Sequence, residues 1–268
     1  MRPCFQKSIF LLPNSTIDMH AWSVIACDQY TSQQDYWQNV QEIIQDEPST
    51  YHMIYPEVYL QEKDDRISKI QQTMENYVHN NILEEKVKNG FILIERSTFS
   101  GNRMGLLGVI DLEAYDFEPG NVKPIRATEK TIASRIPPRV KIRKEAPLEL
   151  SHVLVLLDDP KDELFSGLMK DKDTYPVLYN FDLMMNGGHI KGYAIEKENA
   201  DQLESKIAQM QQERDLFLSV GDGNHSLATA KACWEEIKKG LDPQGQENHP
   251  ARYAMVEMVN LHSPALIF

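Results

Sequence analysis

Along this chain, short apolar runs alternate with stretches of helical periodicity, and one junction between the two organises the rest. Leu216 to Val220 is an apolar run of the length of a buried strand, and beyond it Leu227, Ala230, Trp234 and Ile237 recur at the spacing of one helical face. Between them lies Gly221-Asp222-Gly223-Asn224-His225-Ser226, so the pattern predicts strand, tight turn, helix. Such a junction points backbone N–H groups and the positive end of a helix at whatever sits above the turn.

The remaining pattern predicts a mixture of helices and strands. Phe5 to Leu12 reads as an edge or opening strand, and Trp22 to Cys27 as a second apolar run that delivers Asp28 and Tyr30 at its end. Asp28 there is either a candidate base or a turn or helix cap. Gln33 to Gln45 carries Tyr36, Val40, Ile43 and Ile44 on one side, and from Asp64 the series Ile67, Ile70, Met74, Tyr77, Val78 marks an amphipathic helix. Tyr55 to Leu60 is strand-like. Phe91 to Arg96 and Leu106 to Leu112 read as two strands of a hairpin with Asn102 to Gly105 in its loop.

Further strands are expected over His152 to Leu157, Val177 to Phe181 and Ile190 to Glu196, with a turn at Asn186 to His189. Asn199 opens a helix with Leu203, Ile207 and Met210 on its apolar face, Pro243-Gln244-Gly245 reads as a loop, and Tyr253 to Leu261 is the last ordered run. The expected fold is therefore mixed α and β, with several short strands and about five helices, read as one region over residues 1–268 with a sub-division near residue 120. The apolar ending Pro264 to Phe268 carries no polar tail, so the chain is expected to be the N-terminal and central part of a longer protein.

Composition narrows the function. With 41% hydrophobic and 25% charged residues, the chain has the make-up of a globular protein. Its formal net charge of −12 argues against nucleic acid as a partner, since a phosphate backbone is bound by positive surface. The cysteines Cys4, Cys27 and Cys233 form no Cys-x-x-Cys pair, which suggests a reducing, cytoplasmic setting. No stretch approaches the ~18 apolar residues of a membrane span. A small-molecule ligand is the expected partner, and the oligomeric state stays open.

One segment reverses the local charge. From Val122 to Glu145 there are eight basic residues, among them Arg126, Arg135, Arg139 and Arg143, against Glu129 and Glu145 alone. Arg126-Ala127-Thr128 and Arg135-Ile136-Pro137-Pro138-Arg139 mix cations and a hydroxyl, the groups that bind phosphate. The plainer alternative is a solvated face pairing with the acidic remainder. Asp158-Asp159, after the predicted strand His152 to Leu157, could hold Mg²⁺ or cap a turn.

The organising turn carries the sharpest chemistry. Asp222, between Gly221 and Gly223, is placed to ligate Mg²⁺ or to accept a proton from a substrate hydroxyl. Asn224, His225 and Ser226 could contact phosphate oxygens, and His225 could instead hold a metal. The alternative is that Asp222 or Asn224 caps the following helix and His225 is structural. No Walker loop, zincin motif, Gly-x-Ser-x-Gly elbow or Gly-x-Gly-x-x-Gly loop is present.

Gly221-Asp222-Gly223-Asn224-His225-Ser226-Leu227-Ala228-Thr229-Ala230-Lys231 resembles the hallmark of the "domain of unknown function 1015" family. So do Ile25 to Tyr30, the Arg126-to-Ala146 stretch, Gly187-Gly188 and Pro250-Ala251-Arg252-Tyr253. The family is similar, more distantly, to the ParB/sulfiredoxin-like superfamily, whose members bind nucleotides and some of which phosphorylate free serine. The resemblance implies a ParB/sulfiredoxin-like core and a phosphate-binding turn at Gly223-Asn224-His225-Ser226. Asn224 stands where sulfiredoxin has its cysteine, which removes sulfinic-acid reduction. Ser226 stands where an arginine is expected, so Arg126, Arg135, Arg139 or Arg143 would supply the missing charge. The working expectation is a cytoplasmic, Mg²⁺- and nucleotide-dependent kinase-like phosphotransferase acting on a small hydroxyl substrate such as a free amino acid. In it Asp222, His225 and Asp28 are catalytic and Gly221, Gly223, Asn224, Ser226, Thr128 and the four arginines bind phosphate. The alternative is a non-catalytic nucleotide- or anion-binding sensor or adaptor.

Overall fold

The computed structural model describes residues 2–26, 30, 32–59, 65–131, 136–150 and 153–266, without the side chains of residues 57, 137 and 138. Its centre is a mixed sheet of eleven strands. The strands are β1 (Phe5–Gln6), β2 (Ser8–Pro13), β3 (Leu83–Thr98), β4 (Gly101–Asp111), β5 (Tyr115–Asp116), β6 (Ile125–Arg126), β7 (Leu154–Leu157), β8 (Val177–Asp182), β9 (His189–Glu196), β10 (Leu218–Asp222) and β11 (Tyr253–Asn260). They run in the order β5-β6-β10-β7-β11-β4-β3-β9-β8, with β1 beside β4 and β2 beside β3. β6 is parallel to β5 and to β10, and β11 is parallel to β7; the other pairs are antiparallel.

Alternation along each strand divides the sheet into two faces. One carries Leu93, Leu106, Val155, Leu157, Tyr193, Leu218, Val220, Val256 and Met258. It is covered by α5 (Glu163–Asp171), α6 (Lys197–Gln212) and α7 (Asn224–Ile237), which contribute Leu164, Ile207, Leu227 and Trp234. The other face holds a smaller apolar strip of Phe10, Val87, Ile92, Ile94 and Ala194. Beyond it lie two further clusters, one around α2 (Gln34–Ile44) and one joining α3 (Arg66–His79) to Trp22, at the end of α1 (Met19–Trp22), and to Leu83. With α4 (Ile136–Arg143) and α8 (Pro243–Asn248) the described residues form eight α-helices, more than the five expected, and none is long and apolar enough to cross a membrane.

Several local expectations are corrected. The apolar run from Trp22 is no strand: Trp22 closes α1, and Ser23 to Ala26 join no sheet. The stretch from Tyr55 contains a 3₁₀ turn at Glu57–Tyr59 in place of a strand, and Leu60 lies outside the described residues. The hairpin turns at Phe99-Ser100, so Asn102 to Gly105 lie inside β4, while β3 extends back to Leu83 because β2 pairs with that stretch. Helix α6 begins at Lys197, not Asn199, and Pro243 starts α8 as its first helical residue, a position that proline's fixed φ suits. On α3, Ile70 and Met74 are buried but Val78 is exposed.

Candidate functional site

Strand β10 enters the turn buried on Leu218 and Val220 and leaves it at Asp222. Gly223 then takes φ 83°, a left-handed conformation that a residue without Cβ adopts at little cost, and α7 starts at Asn224. The N-cap is Gly223 itself and supplies no side-chain hydrogen bond, so neither Asp222 nor Asn224 caps the helix. Asp222 Oδ1 instead accepts the Gly223 N–H at 2.8 Å, which holds the turn closed. The first helical bond runs from the Leu227 N–H to the Gly223 carbonyl, so the N–H groups of the opening turn face outward at the positive end of a fourteen-residue helix.

The basic segment lies beside this turn because β6 pairs in parallel with β10, with Arg126 opposite Ser219, and because α4 packs against α7. Thr128 fastens the two together. Its hydroxyl donates to the Val220 carbonyl at 2.6 Å, and its N–H donates to Asn224 Oδ1 at 3.2 Å. Asn224 is buried and its amide returns a 3.3 Å bond to Thr128 Oγ1. Much of the hydrogen-bonding capacity of Asn224 and Thr128 is thus spent on the scaffold. Three residues on, Thr131 Oγ1 is shielded from solvent with no hydrogen-bond partner among the described residues.

The expected arginines separate. Arg126 donates to the carbonyls of Lys123 at 2.7 Å and Asp215 at 3.1 Å, which directs it toward the entry end of β10, away from the turn. Arg143 makes a two-pronged pair with Glu149, at 2.7 and 3.0 Å. Burial disfavours its charge, but Glu149 outweighs that and raises its pKa above the ordinary arginine value. Arg139 lies on α4, the helix that packs on α7. Arg135 and Asp28 lie outside the described residues. His225 and Ser226 occupy the first turn of α7, where the His225 carbonyl accepts the Thr229 hydroxyl at 2.7 Å.

For Mg²⁺, Asp222 is the carboxylate at the turn, and among the described residues no three His, Cys, Asp or Glu side chains converge as a ready metal cage. That fits an ion carried largely by phosphate oxygens and water, with one protein carboxylate, and not a site built by the protein alone. Asp159, the other sequence candidate, accepts the Leu164 N–H at 2.9 Å at the start of α5 and so acts within a turn, while Asp158 faces His262 Nε2 at 2.7 Å.

A second group of polar residues escaped the sequence reading. Arg103 on β4 and Glu257 on β11 form an ion pair of 3.1 Å, near Tyr179 on β8. The signal in the sequence is slight: a charged residue in each of two apolar strands, with Gly105 beside the first of them and Gly192 inside a third strand.

The chain matches the family described as protein of unknown function (DUF1015) over residues 11–268 and belongs to that family. No curated protein matches it, and no solved structure does.

Proposed function

We propose that this protein binds a nucleotide or similar phosphate-bearing molecule at the N-terminus of α7 and transfers a phosphoryl group to a small hydroxyl substrate. The observation that carries the reading is the uncapped helix start at Gly223, pinned through Asn224 and Thr128 to a segment rich in cations. Phosphate oxygens are held there by the N–H groups of the first turn with His225 and Ser226, and Arg139 supplies positive charge from α4, which packs on α7. Arg126 and Arg143 hold that segment in place through Asp215 and Glu149. Asp222 accepts the proton of the attacking hydroxyl and adds a carboxylate to any Mg²⁺ borne by the nucleotide. On this reading the turn does the work of the phosphate-binding turn of the ParB/sulfiredoxin-like superfamily.

Thermal melting with nucleoside mono-, di- and triphosphates and pyrophosphate, with and without Mg²⁺, tests this. A ligand at ~100 times its dissociation constant stabilises by about 2.7 kcal/mol. A Mg²⁺-dependent shift that is lost in Asp222→Asn is expected; no shift with any phosphate ends the proposal. A second reading, a sensor without catalysis, draws on the bond from Gly223 N–H to Asp222 Oδ1, which gives Asp222 a structural task. It predicts binding that needs no Mg²⁺ and no turnover.

A further inference from the structure

On the sheet face opposite α5, α6 and α7, one row crosses four strands: Tyr179 on β8, Gly192 on β9, Ile94 on β3 and Gly105 on β4. Ile94 is thus flanked on both sides by glycine, and larger side chains lie down over each gap. The hydroxyl-bearing carbon of Tyr179 lies where a Cβ on Gly192 would be 2.2 Å away. Glu257 reaches over Gly105, where a Cβ would be 2.1 Å from Oε1. A side chain on either glycine would push these groups off the sheet. Without it, a phenol and a carboxylate approach each other across Ile94.

Arg103 completes the group. Glu257 uses one oxygen on one terminal nitrogen of Arg103, at 3.1 Å, and both side chains are 18% exposed. Arg103 Nε is shielded from solvent and has no hydrogen-bond partner among the described residues. The Tyr179 hydroxyl makes no hydrogen bond within the described residues either, and burial followed by the charge of Glu257 raises its pKa, so it stays a neutral donor. A structural ion pair alone leaves the Arg103 Nε donor unexplained, because buried polar groups are ordinarily satisfied. Arg96, opposite Arg103 in the β3–β4 register, places a second guanidine-bearing residue on this face.

We infer that Arg103, Glu257 and Tyr179 form a subsite for a small zwitterion, an α-amino acid, whose carboxylate accepts from Arg103 and Tyr179 and whose ammonium donates to Glu257. Opposite charges side by side match a ligand that carries both, and neither a simple anion nor a simple amine meets all three groups. Asp222 pairs with Leu154 and Leu154 with Glu257, so the two acidic residues are two strands apart in one row. Glu257 reaches the other way, over Gly105, and the ligand position across Ile94 lies on β3, four strands from β10 and roughly 19 Å away. The subsite is therefore separate from the candidate phosphate site, and the inference rests on the cluster alone.

The test is calorimetric titration of the whole protein with the common L-amino acids, one at a time, and with two half-ligands, ethanolamine and glycolate. At least one amino acid is expected to bind, and both half-ligands to bind at least about tenfold more weakly. Glu257→Gln and Tyr179→Phe, which keep shape and packing, are each expected to weaken it about tenfold or more while leaving the pyrophosphate melting shift intact. Asp222→Asn should do the reverse. Failure of every amino acid to bind, equal binding of a half-ligand, or full affinity in Glu257→Gln overturns the subsite. Amino-acid binding without any phosphate shift upholds the subsite and ends the phosphotransfer reading alone.

Discussion

Asn224 and Thr128 stand 96 positions apart in the chain and exchange two hydrogen bonds, Thr128 N–H to Asn224 Oδ1 and Asn224 Nδ2 to Thr128 Oγ1. The pair joins the first residue of α7 to the segment that follows β6. Asn224→Leu removes the acceptor of a part-buried backbone N–H and is expected to cost about 1–3 kcal/mol. Urea unfolding measures it. A variant as stable as the parent would show that the clamp contributes nothing to stability.

Glycine tolerance should differ sharply between two positions. Gly188 has φ 87°, and a Cβ there would be 2.0 Å from the Ser97 carbonyl oxygen, so Gly188→Ala meets both backbone strain and a backbone collision. A loss of roughly 2 kcal/mol or more is expected. Gly240 has open space around its Cβ position, and Gly240→Ala should change stability by no more than about 0.5 kcal/mol. Melting temperatures of the two variants, compared directly, decide it.

Arg252 grips Asp111 with two bonds, 2.9 and 2.7 Å, and the Asp111 side chain is 8% exposed. Asp111 also accepts the Glu113 N–H at 2.9 Å. Arg252→Met leaves a carboxylate in a poorly solvated place and is expected to destabilise by about 3 kcal/mol, while the double variant with Asp111→Asn recovers part of it. A double-mutant cycle in denaturant reads the coupling.

Glu113 predicts part of the acid response. Burial raises its pKa, but the Trp234 indole N–H at 2.6 Å and the Lys238 ammonium at 3.0 Å outweigh burial and leave it below its ordinary value of 4.5. A depressed carboxylate contributes stability that is present above the unfolded-state pKa and lost as pH falls through the folded one. The loss therefore begins below about pH 4.5. Glu113→Gln is expected to flatten the stability curve in that range and to leave its slope at neutral pH unchanged. Melting temperature followed from neutral to acid pH checks this.

The sequence alone determined the elements whose signal is local. The strand, glycine turn and helix from Leu218 to Ile237 were readable because Val220, Leu227, Ala230 and Trp234 repeat at intervals set by backbone geometry. The amphipathic helices α2 and α3 were readable for the same reason, and the cation-rich stretch by its charge. The start of β3 was missed because Glu84, Glu85, Lys86 and Lys88 look unlike a strand; pairing with β2 makes them one. Tertiary structure also decided which cations remain near the turn, since it gave Arg143 to Glu149 and turned Arg126 to Asp215. It alone assembled Arg103, Tyr179 and Glu257, which come from three strands and meet only where two glycines let them lie flat. The physical reason is range: helix and turn signals reside in neighbouring residues, whereas strand order and side-chain partnership depend on closing loops of many tens of residues, about which local spacing carries no information.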